Sequence, residues 1–306
     1  MILTTNNNYY TKCLKIVKSI ISYFNFLYII IKFVDFFTYY YKIKCNYILI
    51  YLQISFIVYR IILFTEDTMQ VSKEWLEKYS KIKNMLKAQD NLEEAFTKKE
   101  INDAKLEILD LGEVNIESGK IVVCDPLAYL DEESLSFIQE IKPNKYKVFA
   151  GVLEDEERYA IVKLQISDKA PKYYDLALTG VEELEHVEYG DFFGFPVDAG
   201  MACICDYNAL NDFIKFEDKL IESKGDDYNR YDDLFAGLLE DNAKKYPKYQ
   251  SEYGDWLNFN IPESKYNIVL FQSGYGDGFY PSYFGYDDNN EICALYIVFI
   301  DLFADD

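Results

Sequence analysis

The first 68 residues contain no glycine, proline or alanine, and this absence constrains most strongly where the chain can fold. All 14 glycines and all 7 prolines lie at or beyond Gly112, although average composition would place roughly eight of them in a segment of this length. A chain that turns between helices and strands needs such residues. The sequence therefore predicts that the folded domain begins near Met69.

Residues 1–68 form an apolar extension rich in residues that AT-rich codons encode, and it has two interpretations. Its longest uncharged runs, Ser19–Ile31 and Cys45–Tyr59, have 13 and 15 residues, whereas a membrane-spanning helix needs about 20. The segment Thr65–Met69 can be encoded by codons that contain a purine-rich ribosome-binding sequence just before a start codon. We therefore interpret the extension as translated upstream DNA with Met69 as the initiator; a two-helix membrane hairpin is the alternative.

The remaining residues are strongly acidic. Residues 1–68 hold seven of the 31 Lys and Arg and three of the 52 Asp and Glu, which leaves 24 basic and 49 acidic residues and a net charge of −25. Such a field repels nucleic acid and anionic membrane surfaces, and it attracts basic proteins. We expect a cytoplasmic protein that binds no nucleic acid, with a membrane anchor only if residues 1–68 are present in the native protein.

Hydrophobic periodicity predicts an α+β fold with a mainly antiparallel β-sheet core and flanking helices. Residues 69–110 are expected to be a helical lead-in, because Trp75, Tyr79 and Ile82 follow a helical spacing and Ser72 can cap the helix. Residues 111–306 would form the acidic α+β domain, with antiparallel strands joined by short connections. The extended segments predicted are Ile121–Cys124, Tyr146–Leu153, Tyr159–Ile166, Tyr173–Leu178, Phe195–Asp206, Tyr266–Gln272 and Ile292–Leu302, and the further helices are Asn208–Ile221 and Tyr231–Lys245.

Most familiar catalytic arrangements are missing from residues 69–306. His186 is the single histidine, and its acidic neighbours favour a solvated surface position over a general base. Cys124, Cys203, Cys205 and Cys293 do not stand at zinc spacing, so we expect buried, reduced thiols. No G-x-S-x-G nucleophile elbow is present. The sequence predicts no metal and no cofactor, and it favours a protein that is not an enzyme.

Three aspartates in apolar or glycine-rich surroundings are the candidate catalytic residues. Asp125 ends an apolar run, Asp198 has apolar neighbours on both sides, and Asp277 lies in a glycine-rich segment. A carboxylate in an apolar environment must be hydrogen-bonded, paired or metal-bound, because unpaired burial is costly. If the three converge, they could form a hydrolytic acid–base pair or a hard-cation site. More often such residues bond backbone amides in turns.

The segment Ser273–Tyr283 contains the candidate binding loop. Its glycines follow a hydrophobic strand, but the residues after them are extended and Asp277 would repel a phosphate, so we exclude nucleotide binding. The glycines are expected to adopt positive φ in a tight turn. The candidate binding residues are Ser273, Gly274, Gly276, Asp277, Gly278, Tyr280 and Tyr283.

Three motifs resemble, in this order, a bacterial family called domain of unknown function 4241: Val123–Leu127, Phe195–Gly200 followed by Cys205-Asp206, and Ser273–Gly278 with Tyr280–Gly285. The resemblance covers roughly residues 111–302. At two positions where the family pattern has tryptophan, this chain has Tyr275 and Phe284, which are also aromatic. The family brings no established activity, so the resemblance identifies the domain and leaves its function open.

Two functional hypotheses follow. The first is an acidic protein-binding domain, for example an immunity-like partner of a basic toxin or nuclease, and it depends on the negative charge and the missing catalytic residues. The second is a hydrolase or cation-binding domain that uses Asp125, Asp198 and Asp277. The second hypothesis predicts that these carboxylates share one concave pocket.

Overall fold

The computed structural model describes residues 71–225 and 227–304. Within them, the helices are α1 (Lys73–Ile82), α2 (Glu94–Thr97), α3 (Tyr207–Lys224) and α4 (Ala236–Lys245), and the π-helix Tyr231–Phe235 leads directly into α4. The strands β1 to β14 are Glu100–Ile101, Ala104–Ile116, Lys120–Cys124, Ser136–Glu140, Asn144–Leu153, Arg158–Gln165, Tyr173–Leu176, Phe195–Val197, Met201–Asp206, Trp256–Asn260, Asn267–Gln272, Gly278–Tyr280, Ser282–Tyr286 and Ile292–Val298.

Antiparallel pairing organises these strands into two main sheets. The larger sheet has seven strands in the order β1-β2-β5-β6-β14-β13-β7 and curls into a half-barrel. The smaller sheet has five strands in the order β10-β11-β9-β3-β4, and β8 pairs with β12 in a separate two-stranded ribbon. Every strand pair in the described residues is antiparallel. The prediction of a mainly antiparallel α+β fold is thus confirmed.

The five-stranded sheet contributes side chains to two hydrophobic cores. On β9, Ala202 and Ile204 pack in a core shared with β2, β5, β6 and β14 of the larger sheet. Cys203 and Cys205 belong to a second core with Phe213 of α3 and residues of α4. Successive side chains of a strand point to opposite faces, which explains this division. All four cysteines of the described residues are buried and free, as predicted.

The helical lead-in is shorter than predicted. The Ser72 hydroxyl accepts a hydrogen bond from the Trp75 N–H at 3.1 Å and caps α1, as expected. However, Ala104–Ile116 is a 13-residue strand, so the helical prediction for residues 104–110 was wrong. Ten residues of β2 pair with β5, from Leu106 to Ile116, and this pairing holds the backbone extended despite the interspersed charges.

Most other predicted elements match the structure, and the differences lie in short strands. Predicted strands coincide with β3, β5, β6, β7 and β11, and predicted helices with α3 and the π-helix plus α4. The single extended segment predicted at Phe195–Asp206 is two strands, β8 and β9, with residues 198–200 between them. The last strand ends at Val298 instead of Leu302. Strands β4 and β10 lie in segments without a strand prediction; each has five residues, too few to show a clear period. Strands β12 and β13 agree with the extended conformation predicted for the residues after the glycines.

The hypotheses on residues 1–68 concern a segment outside the described residues. In the part of the chain that the structure describes, no helix combines the length and the apolar character needed to cross a membrane.

Two buried aspartates should affect stability in opposite directions as the pH changes. Burial raises the pKa of Asp175, and Lys87, whose Nζ lies 3.8 Å from Oδ1 of Asp175, offsets only part of this shift. Lys169 and two backbone N–H groups lower the pKa of Asp287. A raised native pKa means that stability falls as the pH rises past the unfolded value of about 3.9, and a lowered pKa means the reverse.

We therefore expect Asp175→Asn to increase the free energy of unfolding at pH 7 and Asp287→Asn to decrease it. The difference for Asp175→Asn should shrink as the pH falls towards about 4, because its raised native pKa is passed above that pH, whereas the difference for Asp287→Asn should shrink only below about 4, because its lowered pKa keeps the native carboxylate charged there. Urea denaturation of both variants at pH 7 and pH 3.5 measures this. Two differences of the same sign at pH 7 would contradict the expectation.

Candidate functional site

Antiparallel pairing brings three loops to one edge of the five-stranded sheet. Strand β3 ends at Cys124 and β11 ends at Gln272, whereas β9 begins at Met201. In the sheet, Cys124 pairs with Cys203 and Gln272 pairs with Met201. The loop after β3, the loop before β9 and the loop after β11 therefore meet. These loops contain the three candidate aspartates.

Asp125 is fully buried, and its carboxylate holds two of the loops together. Its Oδ1 accepts hydrogen bonds from the N–H groups of Leu127 and Ala128 at 2.8 and 3.2 Å. Its Oδ2 accepts from the N–H groups of Asp198 and Ala199 at 2.9 and 2.8 Å. A carboxylate has about four lone-pair sites, so these bonds use all of them. Asp125 is therefore a structural residue in this arrangement.

Asp277 connects the third loop to the segment that Asp125 holds. Its Oδ1 accepts a hydrogen bond from the Gly200 N–H at 3.0 Å. The Ser273 N–H donates to the Gly200 carbonyl oxygen at 3.2 Å. The backbone N–H groups of the segment 198–200 are thus all bound by carboxylates: those of residues 198 and 199 by Asp125, and that of residue 200 by Asp277.

Hydrogen bonds within the loop after β11 close it into a tight turn. The hydroxyl groups of Ser273 and Tyr280 donate to the Gly276 carbonyl oxygen at 2.9 and 2.7 Å. Gly274 and Gly276 have φ angles of 60° and 111°, which confirms the predicted positive-φ turn. Tyr283 is not part of this loop. It lies on β13, where burial raises its pKa to about 12.

Asp198 lies on the surface of the cluster. Its side chain is exposed, and its Oδ2 accepts a hydrogen bond from the Tyr129 hydroxyl group. This bond, together with burial and the negative charge, raises the pKa of Tyr129. The three aspartates therefore converge on the segment 198–200, but each uses at least one oxygen in a local bond.

A cavity of about 560 Å³ opens beside these loops. Leu127 and Ala199, which follow Asp125 and Asp198 in the chain, line it together with Met201. None of the three candidate aspartates is among its lining residues. The carboxylates are close to the cavity, but they do not share it in the way the hydrolase hypothesis requires.

An ion pair that sequence reasoning missed forms one wall of this cavity. The Nε and Nη2 atoms of Arg230 donate to the two carboxylate oxygens of Glu217, both at 2.6 Å. Its Nη1 donates to the Pro126 carbonyl oxygen at 2.9 Å and so connects α3 to the loop after β3. Arg230 is one of only three arginines in the chain, the one sequence signal that could have drawn attention to it.

The described residues contain no group of three or more His, Cys, Asp or Glu side chains that could hold a metal ion. His186 lies at a positive φ of 69° in an exposed loop. The Sγ atoms of Cys124 and Cys203 lie 3.8 Å apart in the core, and their contact and their burial raise the pKa of the Cys124 thiol.

The loops also present a set of exposed aromatic and acidic side chains, which we call the acidic aromatic face. Phe192 stacks on Phe279 with ring centroids 6.0 Å apart, and the Tyr275 hydroxyl group donates to Glu156 at 2.8 Å. The face consists of the aromatic residues Tyr129, Tyr189, Phe192, Tyr275 and Phe279 and the carboxylates Glu154, Asp155, Glu156, Glu157, Asp191, Asp198 and Asp277.

The structural role of Asp125 gives a stability prediction. In Asp125→Asn an NH₂ group would face N–H donors that now bond the carboxylate, so we expect a loss of roughly 3 kcal/mol in the free energy of unfolding. Asp198→Asn is the matched control, because the exposed side chain makes one hydrogen bond and its loss should be smaller. Urea denaturation at pH 7 compares them, and equal losses would contradict the structural role of Asp125.

Comparison with known proteins gives one family. A family model described as "Protein of unknown function (DUF4241)" matches residues 114–297, which is more than half of the chain. This match confirms the resemblance to domain of unknown function 4241 over residues 111–302. No curated protein and no solved structure matches the chain.

Proposed function

The chain belongs to the family described as Protein of unknown function (DUF4241), and because that description assigns no activity, we propose a function from the geometry. The proposal is an acidic domain that binds a basic protein through the acidic aromatic face. Its carrying observation is that five exposed aromatic and seven exposed acidic side chains lie on four segments that contact one another. The contacts are Tyr129 with Asp198, Phe192 with Phe279 and Tyr275 with Glu156. The segments that form it, residues 125–129, 154–157, 189–200 and 275–279, contain no lysine or arginine, although exposed Arg158 follows Glu157 directly and its charge acts on Tyr275.

The composition of this face suits a basic partner for two physical reasons. Uncompensated carboxylates attract a positively charged surface over a distance and orient it before contact. Exposed rings such as Tyr275, 65% exposed, and Phe279, 50% exposed, then provide apolar contact area and can lie under arginine or lysine groups of the partner. Aromatic residues are also the side chains that most often dominate binding energy in protein interfaces.

A basic toxin or nuclease is one class of protein with the required surface, and an acidic domain bound to it would neutralise its charged active surface. In this proposal the protein acts in the cytoplasm, and it works by occupying a partner's surface without catalysis. The support is the charge of the face and its aromatic content, both of which a blocking partner needs.

The alternative function, hydrolysis or cation binding by Asp125, Asp198 and Asp277, is supported by their convergence on the segment 198–200. It is the second proposal because the four N–H bonds of Asp125 leave no lone pair for a ligand. Its test is a calorimetric titration of the full chain with Ca²⁺ and Mg²⁺. We expect no saturable binding at millimolar concentration; binding that Asp277→Asn abolishes would favour the alternative.

The protein-binding proposal predicts that the position of the charges matters, and not only their number. Glu154→Lys with Asp155→Lys changes the face, whereas Asp218→Lys with Glu222→Lys changes exposed positions of α3. Each pair alters the net charge by the same four units. We expect the first pair to weaken binding of a basic partner on the order of 10-fold, about 1.4 kcal/mol, and the second pair to have little effect.

Candidate partners are basic proteins from the same host, first of all the products of neighbouring genes, purified and tested against the full chain by calorimetry. Raising the salt from about 0.01 to 0.15 M shortens the Debye length from about 30 to 8 Å and should weaken binding strongly. Equal effects of the two lysine pairs, or affinity independent of salt, would contradict the proposed function.

A further inference from the structure

We propose that the cavity beside the three loops is the anchor pocket for one arginine or lysine side chain of the partner. This inference rests on the proposed function and adds the place where the partner's basic side chain inserts. Ala199 lines the cavity and follows Asp198 of the acidic aromatic face in the chain, so the pocket and the face are continuous. A buried anchor next to a charged contact surface is the usual arrangement of binding energy in protein interfaces.

The lining of the pocket suits the two parts of a long basic side chain. Leu127, Met201 and Leu239 provide an apolar surface for the methylene groups. Tyr231 and Tyr253 also line it and are 37% and 62% exposed, so their rings are available to a cation entering from solvent. The volume of about 560 Å³ lies within the range of roughly 300 to 1,000 Å³ typical of ligand pockets. It has room for a side chain and part of its backbone.

The charges at the pocket favour a cation. Two charged residues line it, Arg230 and Asp255. The guanidinium group of Arg230 is neutralised by the bidentate bond to Glu217. Asp255 accepts a hydrogen bond from the Ser251 N–H, and within residues 71–225 and 227–304 it forms no ion pair. One uncompensated negative charge therefore remains at the pocket.

The pocket is also held rigidly, which reduces the entropy lost on binding. Arg230 bonds the Pro126 carbonyl oxygen and so fixes the position of Leu127 on one side. On the other side, Gly254 has a φ of 85°, and a Cβ there would lie 2.4 Å from the Leu239 carbonyl oxygen. The turn that carries Asp255 is thus packed directly against α4. Tyr231 begins the π-helix, an element found frequently at functional sites.

The test uses two small probes that differ in charge, N-acetyl-L-arginine amide and its neutral isostere N-acetyl-L-citrulline amide. Both are titrated into the ¹⁵N-labelled full chain and followed by heteronuclear NMR. We expect the arginine probe to bind in the millimolar range, with shift changes at residues 127, 199, 229–231 and 251–255. The citrulline probe should bind at least about 10-fold more weakly, because only the cation can pair with Asp255.

Two variants connect the binding to the pocket. Asp255→Asn removes the charge but keeps an oxygen that can accept the Ser251 N–H bond, and it should reduce the affinity for the arginine probe about 5- to 10-fold. Asp241→Asn, an exposed aspartate on α4, is the charge-matched control and should leave the affinity unchanged. If Asp255→Asn fails to fold, Tyr253→Ala serves instead, with an expected loss of about two- to fivefold.

Equal binding of both probes, shift changes elsewhere on the chain, or unchanged affinity in Asp255→Asn or Tyr253→Ala would overturn the inference. None of these results bears on the acidic aromatic face, because the assay contains no partner protein. Conversely, if the Glu154→Lys and Asp155→Lys pair leaves partner binding intact, the proposed function fails and the inference fails with it.

Discussion

The local structure depends on one buried carboxylate, that of Asp125. Three β-strands end or begin at the same edge of the five-stranded sheet, and their loops expose backbone N–H groups that the sheet no longer pairs. Asp125 accepts four of these N–H groups, two from its own loop and two from residues 198–199. Without that acceptor these donors would lose their partner inside the protein and the two loops would lose the group that joins them, which costs free energy. The positions of the cavity wall and of the acidic aromatic face therefore both depend on a residue that contacts neither solvent nor ligand.

The five-stranded sheet makes this arrangement possible because it is covered on both faces. Alternate residues of β9 pack towards the seven-stranded sheet and towards α3 and α4, so the strand is buried along its whole length. Because the sheet is packed on both faces, the loops at its edge are the part of this region that can vary in sequence and bind a partner. The same helices place Glu217 and Arg230 next to Pro126, and the ion pair extends the fixed region from the sheet to the rim of the cavity.

The sequence alone predicts the parts of this structure that have a strong local period. The strands at Val148 and Val162 and the helix at Phe213 are long enough for their hydrophobic period to be visible. The turn at Gly276 follows from its glycine-rich composition. The strand β2 was missed because the register shift between Asp110 and Gly112 interrupts its alternation of apolar and polar residues. The ion pair of Arg230 and Glu217 and the face formed by Glu156 and Tyr275 join residues distant in sequence, and no local pattern encodes such contacts.

The carboxylates that stabilise the fold differ in their partners from the carboxylates of the acidic aromatic face. Carboxylates that serve the fold are paired: Asp125 with four N–H groups, Glu217 with Arg230, and Asp287 with Lys169 and backbone donors. Within the described residues, the carboxylates of the acidic aromatic face form no ion pair, and like charges placed together destabilise the folded state. Other interactions already stabilise the fold. Stability therefore does not explain why acidic and exposed aromatic side chains are concentrated on loops without lysine or arginine. Because such local conflicts persist mainly where a protein binds or reacts, the carboxylates of this face, which form no ion pair within the described residues, are the main argument for the proposed positively charged partner.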